Sequence, residues 1–135
     1  MKFQPDFASQ RSIQSSGPGW VQVAGQRHTR SLTVGPATEP TVWPCSGWDD
    51  LGAELFSQLA AYRPELVLFG SGERLRFPPP EWLLPLMQER IGFETMDRAA
   101  ACRTYNVLVS EGRQVLLALL LEPTPKNQSP QSPIG

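Results

Sequence analysis

The chain has 135 residues, 40% of them apolar, and a formal net charge of −1. That length suits one domain with one core, and the near-neutral balance excludes the basic footprint of a nucleic-acid binder. Two cysteines without CxxC spacing exclude a disulfide framework, and the single histidine beside them cannot complete a tetrahedral zinc site.

Met1 to Arg11 is polar and irregular and reads as an N-terminal arm; it holds no apolar h-region, so no secretory signal is expected. Ser12 to Pro44 reads as an antiparallel meander. Gly17-Pro18-Gly19 turns the chain, Trp20 to Val23 alternates with period two, Ala24-Gly25 turns it again, and Gln26 to Val34 returns as one strand. Gly35-Pro36 ends that strand, and Thr41 to Trp43 forms a short further one. His28 lies in this meander beside Arg27 and Arg30, and reads as a strand residue rather than a ligand.

Ser46 to Asp49 has the form of a capping box, with the serine oxygen available to the amide three residues on. Trp48, Leu51, Leu55, Leu59 and Tyr62 then recur at helical spacing and predict one amphipathic helix, a packing stripe stopped by Arg63-Pro64. Asp49 and Asp50 fall in its first turn, where the helix dipole accounts for them.

Leu66 to Phe69 is wholly apolar, as in a strand buried on both faces of a parallel sheet. Gly70-Ser71-Gly72 permits a sharp turn at its carboxyl end. Pro78-Pro79-Pro80 presets the start of a helix whose apolar side is Trp82, Leu83, Leu86 and Met87. Pro85 makes its first turn irregular or 3₁₀-like. Ile91 to Met96 is the next strand, Asp97 caps a helix from Arg98 to Ser110, and Gln114 to Leu121 is the last strand. Its seven-residue apolar run, Val115 to Leu121, is far short of the ~20 residues a membrane span needs. The domain therefore spans 12–121, and 122–135, rich in proline, reads as a disordered tail.

The strand–turn–helix order places a ligand crevice at the carboxyl ends of the parallel strands. Gly70, Ser71, Gly72, Arg76, Asp97 and Arg103 are the candidate residues, with Glu73, Arg74 and Arg98 around them. The glycine turn matches neither a dinucleotide fingerprint, since Leu75 stands where the third glycine belongs, nor a P-loop. Two readings follow. The turn serves the backbone alone, with at least one of Gly70 and Gly72 at positive φ, or it cradles a small anion with the arginines. Ser–His and Cys–His pairs would have to recruit His28 across the fold, so no hydrolytic triad is assigned.

Ser16-Gly-Pro-Gly-Trp20, Arg30-Ser-Leu32, Gly70-Ser-Gly72, Arg76-Phe-Pro-Pro-Pro80, Met96-Asp97 and Thr104-Tyr-Asn106 together resemble a family of small bacterial and archaeal MTH-like α/β proteins of unknown function. That family also includes mitochondrial complex I assembly factor 3 and the adipogenesis-associated MTH-like domain protein. The resemblance covers about residues 12 to 121. It implies a three-layer α/β fold, with a mixed central sheet, helices and an added antiparallel β layer from the N-terminal meander. It brings no agreed catalytic residues.

The leading expectation is a non-enzymatic accessory or assembly factor that binds an unidentified protein partner in the cytoplasm. No cofactor, nucleic acid or membrane insertion is expected. A weak homodimer is compatible with four tryptophans. The opposing expectation is a small-anion-binding protein or enzyme working at the crevice.

Overall fold

Two tight turns with left-handed residues build the N-terminal sheet. In the computed structural model, which describes residues 12–35 and 38–123, β1 (Ile13–Gly17), β2 (Trp20–Val23) and β3 (Gln26–His28) form an antiparallel sheet in that order. Ala24 and Gly25 both take positive φ, 50° and 80°, the backbone that a two-residue hairpin between twisted strands requires. The expected N-terminal arm and the tail beyond Pro123 lie outside the described residues.

The meander does not stay in one sheet. A single strand from Gln26 to Val34 was the expectation; the structure breaks it at Thr29–Ser31, and β4 (Leu32–Gly35) and β5 (Thr38–Val42) join the central sheet. Ser31 is the cause. Its buried hydroxyl accepts from the Leu121 amide at 2.8 Å and donates to the Leu121 carbonyl at 3.4 Å. Its carbonyl accepts from the Trp43 amide at 2.9 Å. The chain is thereby pinned beside the last strand, so only β1–β3 form the added layer.

The central sheet runs β5-β4-β8-β6-β7, with β6 (Leu66–Gly70), β7 (Gly92–Met96) and β8 (Val115–Leu119). β6 is parallel to both β7 and β8, and β4 is antiparallel to β8 and β5, so the sheet is mixed. The last of the described strands is the middle strand of the sheet. Its apolar run therefore feeds two cores: Val115, Leu117, Leu119 and Leu121 face one side, Leu116, Ala118 and Leu120 the other.

The helix expected to run from Ser46 to Tyr62 is interrupted. A 3₁₀ turn at Trp48–Asp50 is followed by extended Gly52, then by α1 (Ala53–Leu59) and a second 3₁₀ turn at Ala60–Tyr62. The capping relation is reversed: the Ser46 amide and hydroxyl both donate to the Asp50 carboxylate, at 2.8 and 3.1 Å, which closes a local turn instead of opening a helix. Leu51, Phe56 and Leu59 are buried, whereas Tyr62 is exposed.

Pro80–Leu83 is 3₁₀ and passes into α2 (Leu84–Gln88), where Pro85 falls in the first turn and displaces no helical bond. Of its expected apolar side Leu86 is buried, while Met87 faces solvent. α3 (Arg98–Ser110) has the predicted boundaries, with Asp97 accepting from the Ala100 amide at 2.8 Å. α1 and α2 cover one face of the central sheet; α3 and β1–β3 cover the other. The result is a three-layer α/β architecture.

Candidate functional site

Gly70 and Gly72 serve the turn after β6 in different ways. Gly72 lies at φ 104°, in the region that favours glycine, so the expectation of one left-handed glycine is met there. Gly70 is a close-approach glycine: a Cβ on it would meet Leu119 Cδ2 at 2.5 Å and Ala101 Cβ at 3.3 Å. It lets α3 lie tightly across the ends of β6 and β8.

Ser71 between them is fully buried. Its amide donates to the Met96 carbonyl at 2.8 Å and its hydroxyl to the Arg74 carbonyl at 2.8 Å, and the same oxygen accepts from the Arg76 amide at 2.9 Å. The Gly72 carbonyl accepts from the Arg98 amide at 2.7 Å. These bonds tie β6, β7 and the start of α3 into one junction at the carboxyl ends of the parallel strands.

Arg76 closes that junction. Its Nε and Nη2 donate to the Ser71 carbonyl at 3.1 and 2.6 Å, and Nη2 also pairs with Glu122 Oε1 at 2.9 Å. The guanidinium lies 4.8 Å from the centre of the Trp48 ring. Glu122 Oε2 accepts in turn from the Trp48 amide at 3.2 Å. Glu122, where the tail was expected to begin, is thus part of the folded body.

Arg98, mostly buried, makes a bidentate pair with Glu73 at 2.6 and 3.0 Å and donates to Ser16 Oγ. Hydrogen bonding to Glu73 is the main cause that raises its pKa above the ordinary arginine value.

The candidate residues accordingly divide. Gly70, Ser71, Gly72, Arg76 and Asp97 meet around the strand ends, where the Ser71, Arg76 and Asp97 side chains and the Gly70 and Gly72 carbonyls bond to the protein itself. Arg103 lies elsewhere, in a groove of about 340 Å³ between β1 and α3 that Ser15, Ser16, Arg98, Cys102 and Asn106 also line. Asn106 clamps β1 there, its carbonyl accepting from the Ile13 amide at 2.7 Å and its amide donating to the Ile13 carbonyl at 2.8 Å.

Glu122, Trp48, Ser16 and Asn106 were not among the candidate residues: Trp48 was read as packing, and Ser16 and Asn106 entered only with the family resemblance. For Glu122 a signal existed, since it is the first charge after the β8 run and falls at the strand end that carries the Gly70 turn.

Neither thiol is poised as a nucleophile. Burial pushes Cys45 up to about 11 against a smaller opposing effect of the Ser31 hydrogen bond, and burial likewise raises Cys102. Among the described residues, no group of three or more His, Cys, Asp or Glu could hold a metal ion. No helix among them is long and apolar enough to cross a membrane.

A family model described as "Protein of unknown function (DUF498/DUF598)" matches residues 13–120, nearly the whole described fold. The chain belongs to this family. A family relative from Rhodobacter capsulatus, an uncharacterized protein, is 35% identical over 120 residues, covering 89% of this chain and 92% of its own. The chain is also 32% identical over 83 residues to NADH dehydrogenase [ubiquinone] 1 alpha subcomplex assembly factor 3 of Xenopus tropicalis, covering 60% of this chain and 45% of that protein. It therefore spans less than half the length of this assembly factor. A solved Mth938-like domain from Bordetella pertussis superposes with a TM-score of 0.78 at 28% identity, covering 98% of both chains. The Mth938-like fold of the family is thus the three-layer architecture described above.

Proposed function

We propose that the chain is a non-enzymatic, protein-binding accessory factor of assembly type, working in the cytoplasm. One observation carries the reading. The Ser71, Arg76 and Asp97 side chains at the crevice are engaged in internal bonds, while the neighbouring segment turns large apolar side chains to solvent: Leu75 at 50%, Phe77 at 70%, Leu84 at 49% and Met87 at 61% exposure. Exposed apolar residues grouped in one segment suit a surface that another protein covers. The likeness to an assembly factor supports the same direction, and two buried free cysteines fit a reducing compartment.

The test is affinity purification of the tagged chain from its source cell, with quantitative mass spectrometry against a Phe77→Ser/Met87→Ser double variant. Reproducible enrichment of one or a few proteins, lost in the double variant at unchanged melting temperature, is the expected result. No reproducible partner would overturn the reading.

A second reading draws on the Arg98 and Arg103 side chains that line the β1–α3 groove with Ser16. They would serve a small anion, at a site displaced from the expected crevice. A melting-temperature screen against phosphate, nucleotides and carboxylates addresses it, since a ligand at 100 times its dissociation constant stabilises by about 2.7 kcal/mol. A shift abolished by Arg103→Ala would favour this reading over the first.

A further inference from the structure

The two edges of the central sheet are protected unequally. An uncovered edge strand offers unpaired backbone groups to any extended chain, and proteins blunt such edges with proline, bulges or charge. β5 carries Pro40 in mid-strand, and its pairing with β4 shifts register between Thr33 and Gly35. β7 has neither proline nor bulge, and its single charge is Glu94 in mid-strand. Its sequence, Gly-Phe-Glu-Thr-Met, pairs in unbroken parallel register with β6.

The ladder fixes which backbone groups of β7 face outward. The Gly92 amide donates to the Glu65 carbonyl at 2.9 Å, and the Met96 carbonyl accepts from the Ser71 amide at 2.8 Å, so both residues face β6. Alternate residues of a strand share a side, so Glu94 also faces β6, and the amides and carbonyls of Phe93 and Thr95 face away. Among the described residues, no hydrogen bond reaches those four groups. They form one ladder unit awaiting an extended backbone.

The side chains state what that backbone should carry. Phe93 joins the aromatic core on the α1–α2 face, and Thr95 Oγ1 on the same side donates to the Arg76 carbonyl at 2.8 Å. The segment bordering the edge there bears exposed Phe77, and α2 bears exposed Leu84 and Met87. Glu94 points to the opposite face and is exposed. A second copy of the chain is disfavoured by this charge. Two identical edges can pair only antiparallel about a two-fold axis, and the full-length register sets Glu94 directly against its own copy, a like-charge cross-strand pair.

We propose that β7 accepts an extended segment of a partner protein as a sixth strand, with a basic residue opposite Glu94 and apolar residues on the side of Phe77, Leu84 and Met87. The proposal rests on the protein-binding reading above and supplies its surface and the chemistry of its partner. Main-chain bonds to Phe93 and Thr95 would give affinity, and the alternating side chains specificity.

The test is a selection of short random peptides displayed against the full chain, followed by amide NMR with one synthetic selected peptide. Selected sequences should alternate apolar residues with a Lys or Arg. The peptide should slow exchange of the Phe93 and Thr95 amides at least about tenfold, and N-methylation of its alternate amides should weaken binding at least about tenfold. On Glu94→Lys, an exposed change that leaves the fold intact, selection should switch toward Asp and Glu.

Failure to enrich any sequence, protection confined to other amides, or indifference to N-methylation would each overturn the proposal. So would a dimer that protects these two amides without peptide. The affinity purification separates the two levels. A partner recovered equally by wild type and Glu94→Lys sinks the β7 site alone, whereas failure to recover any partner sinks the protein-binding reading.

Discussion

The central sheet is covered by different chemistry on its two faces. On one face the core is largely aliphatic: Val21, Val23, Leu68, Leu117 and Leu119 pack beneath α3, whose Ala101 comes close to Gly70. On the other, six rings do most of the filling: Trp43, Trp48, Phe56, Phe69, Trp82 and Phe93. The helices explain the contrast. α3 is thirteen residues long and can lay a continuous small-residue stripe on the strands, while α1 and α2 are seven and five residues with 3₁₀ turns beside them. Short, interrupted helices leave irregular space, and broad rings fill it with edge-to-face contacts. One face is held by close approach and the other by side-chain bulk.

If bulk holds the aromatic face, Phe56→Ala should be the most damaging single change. Phe56 is fully buried, with ring centres of Trp43, Phe69, Trp82 and Phe93 at 5.6, 5.4, 6.0 and 5.9 Å. We expect a loss of about 3–5 kcal/mol in urea unfolding. A loss under about 1 kcal/mol would mean that this face repacks freely.

On the aliphatic face the corresponding test adds atoms. Gly70→Ala should cost about 1–3 kcal/mol by crowding Leu119 and Ala101, although φ at Gly70 is not left-handed. A combined Gly70→Ala/Leu119→Val protein should recover part of the loss, which distinguishes crowding from backbone strain.

A smaller effect is expected where β1 is tied to α3. Asn106→Ala removes both bonds to the Ile13 backbone and should cost about 1–2 kcal/mol. Hydrogen exchange at Ile13 should accelerate more than exchange in β8. Equal acceleration at both would show that the small sheet and the central sheet open as one unit.

The smallest effect belongs to the turn that replaces the expected helix start. Donation from the Ser46 amide, and then from its hydroxyl, holds the Asp50 carboxyl below the usual carboxylate range. Because the folded value is lowered, the stabilisation is present above the unfolded value and is lost as pH falls through the folded one. Carboxyl NMR titration should show a depressed midpoint that Ser46→Ala moves upward. An unmoved midpoint would remove the Ser46 hydroxyl as a cause and leave the shift to its amide.

The contrast between faces also governs what could be read from the sequence. α3 was legible end to end because its cap, Asp97, and its small-residue stripe act within one element, and β8 was legible because its run is uninterrupted. The helix after Ser46 was misjudged because a stripe at 48, 51, 55, 59 and 62 gives no sign that Gly52 is extended. Asp50, which engages Ser46 locally, fits the same pattern whether or not a helix forms.

The division of the meander at Ser31 was not visible either, since it depends on a bond to Leu121, ninety residues away. For the candidate site, sequence reading collected residues at one strand end without knowing their partners. Arg76 was gathered with the arginines that could cradle an anion, yet its partner Glu122 lies 46 positions on. Arg103, beyond Arg98 on α3, lines the β1 groove away from the glycine turn.

The strand order has a consequence for synthesis. Of the described strands β8 leaves the ribosome last, and it lies between β4 and β6. Until it emerges, the antiparallel pair β4–β5 and the parallel pair β6–β7 have nothing to join them, and each presents an open apolar margin to solvent or to a chaperone. Such non-local closure is slow and exposes the nascent chain to misassociation. Vectorial folding can therefore prepare the two halves separately, but the sheet is completed only after translation has passed Leu119.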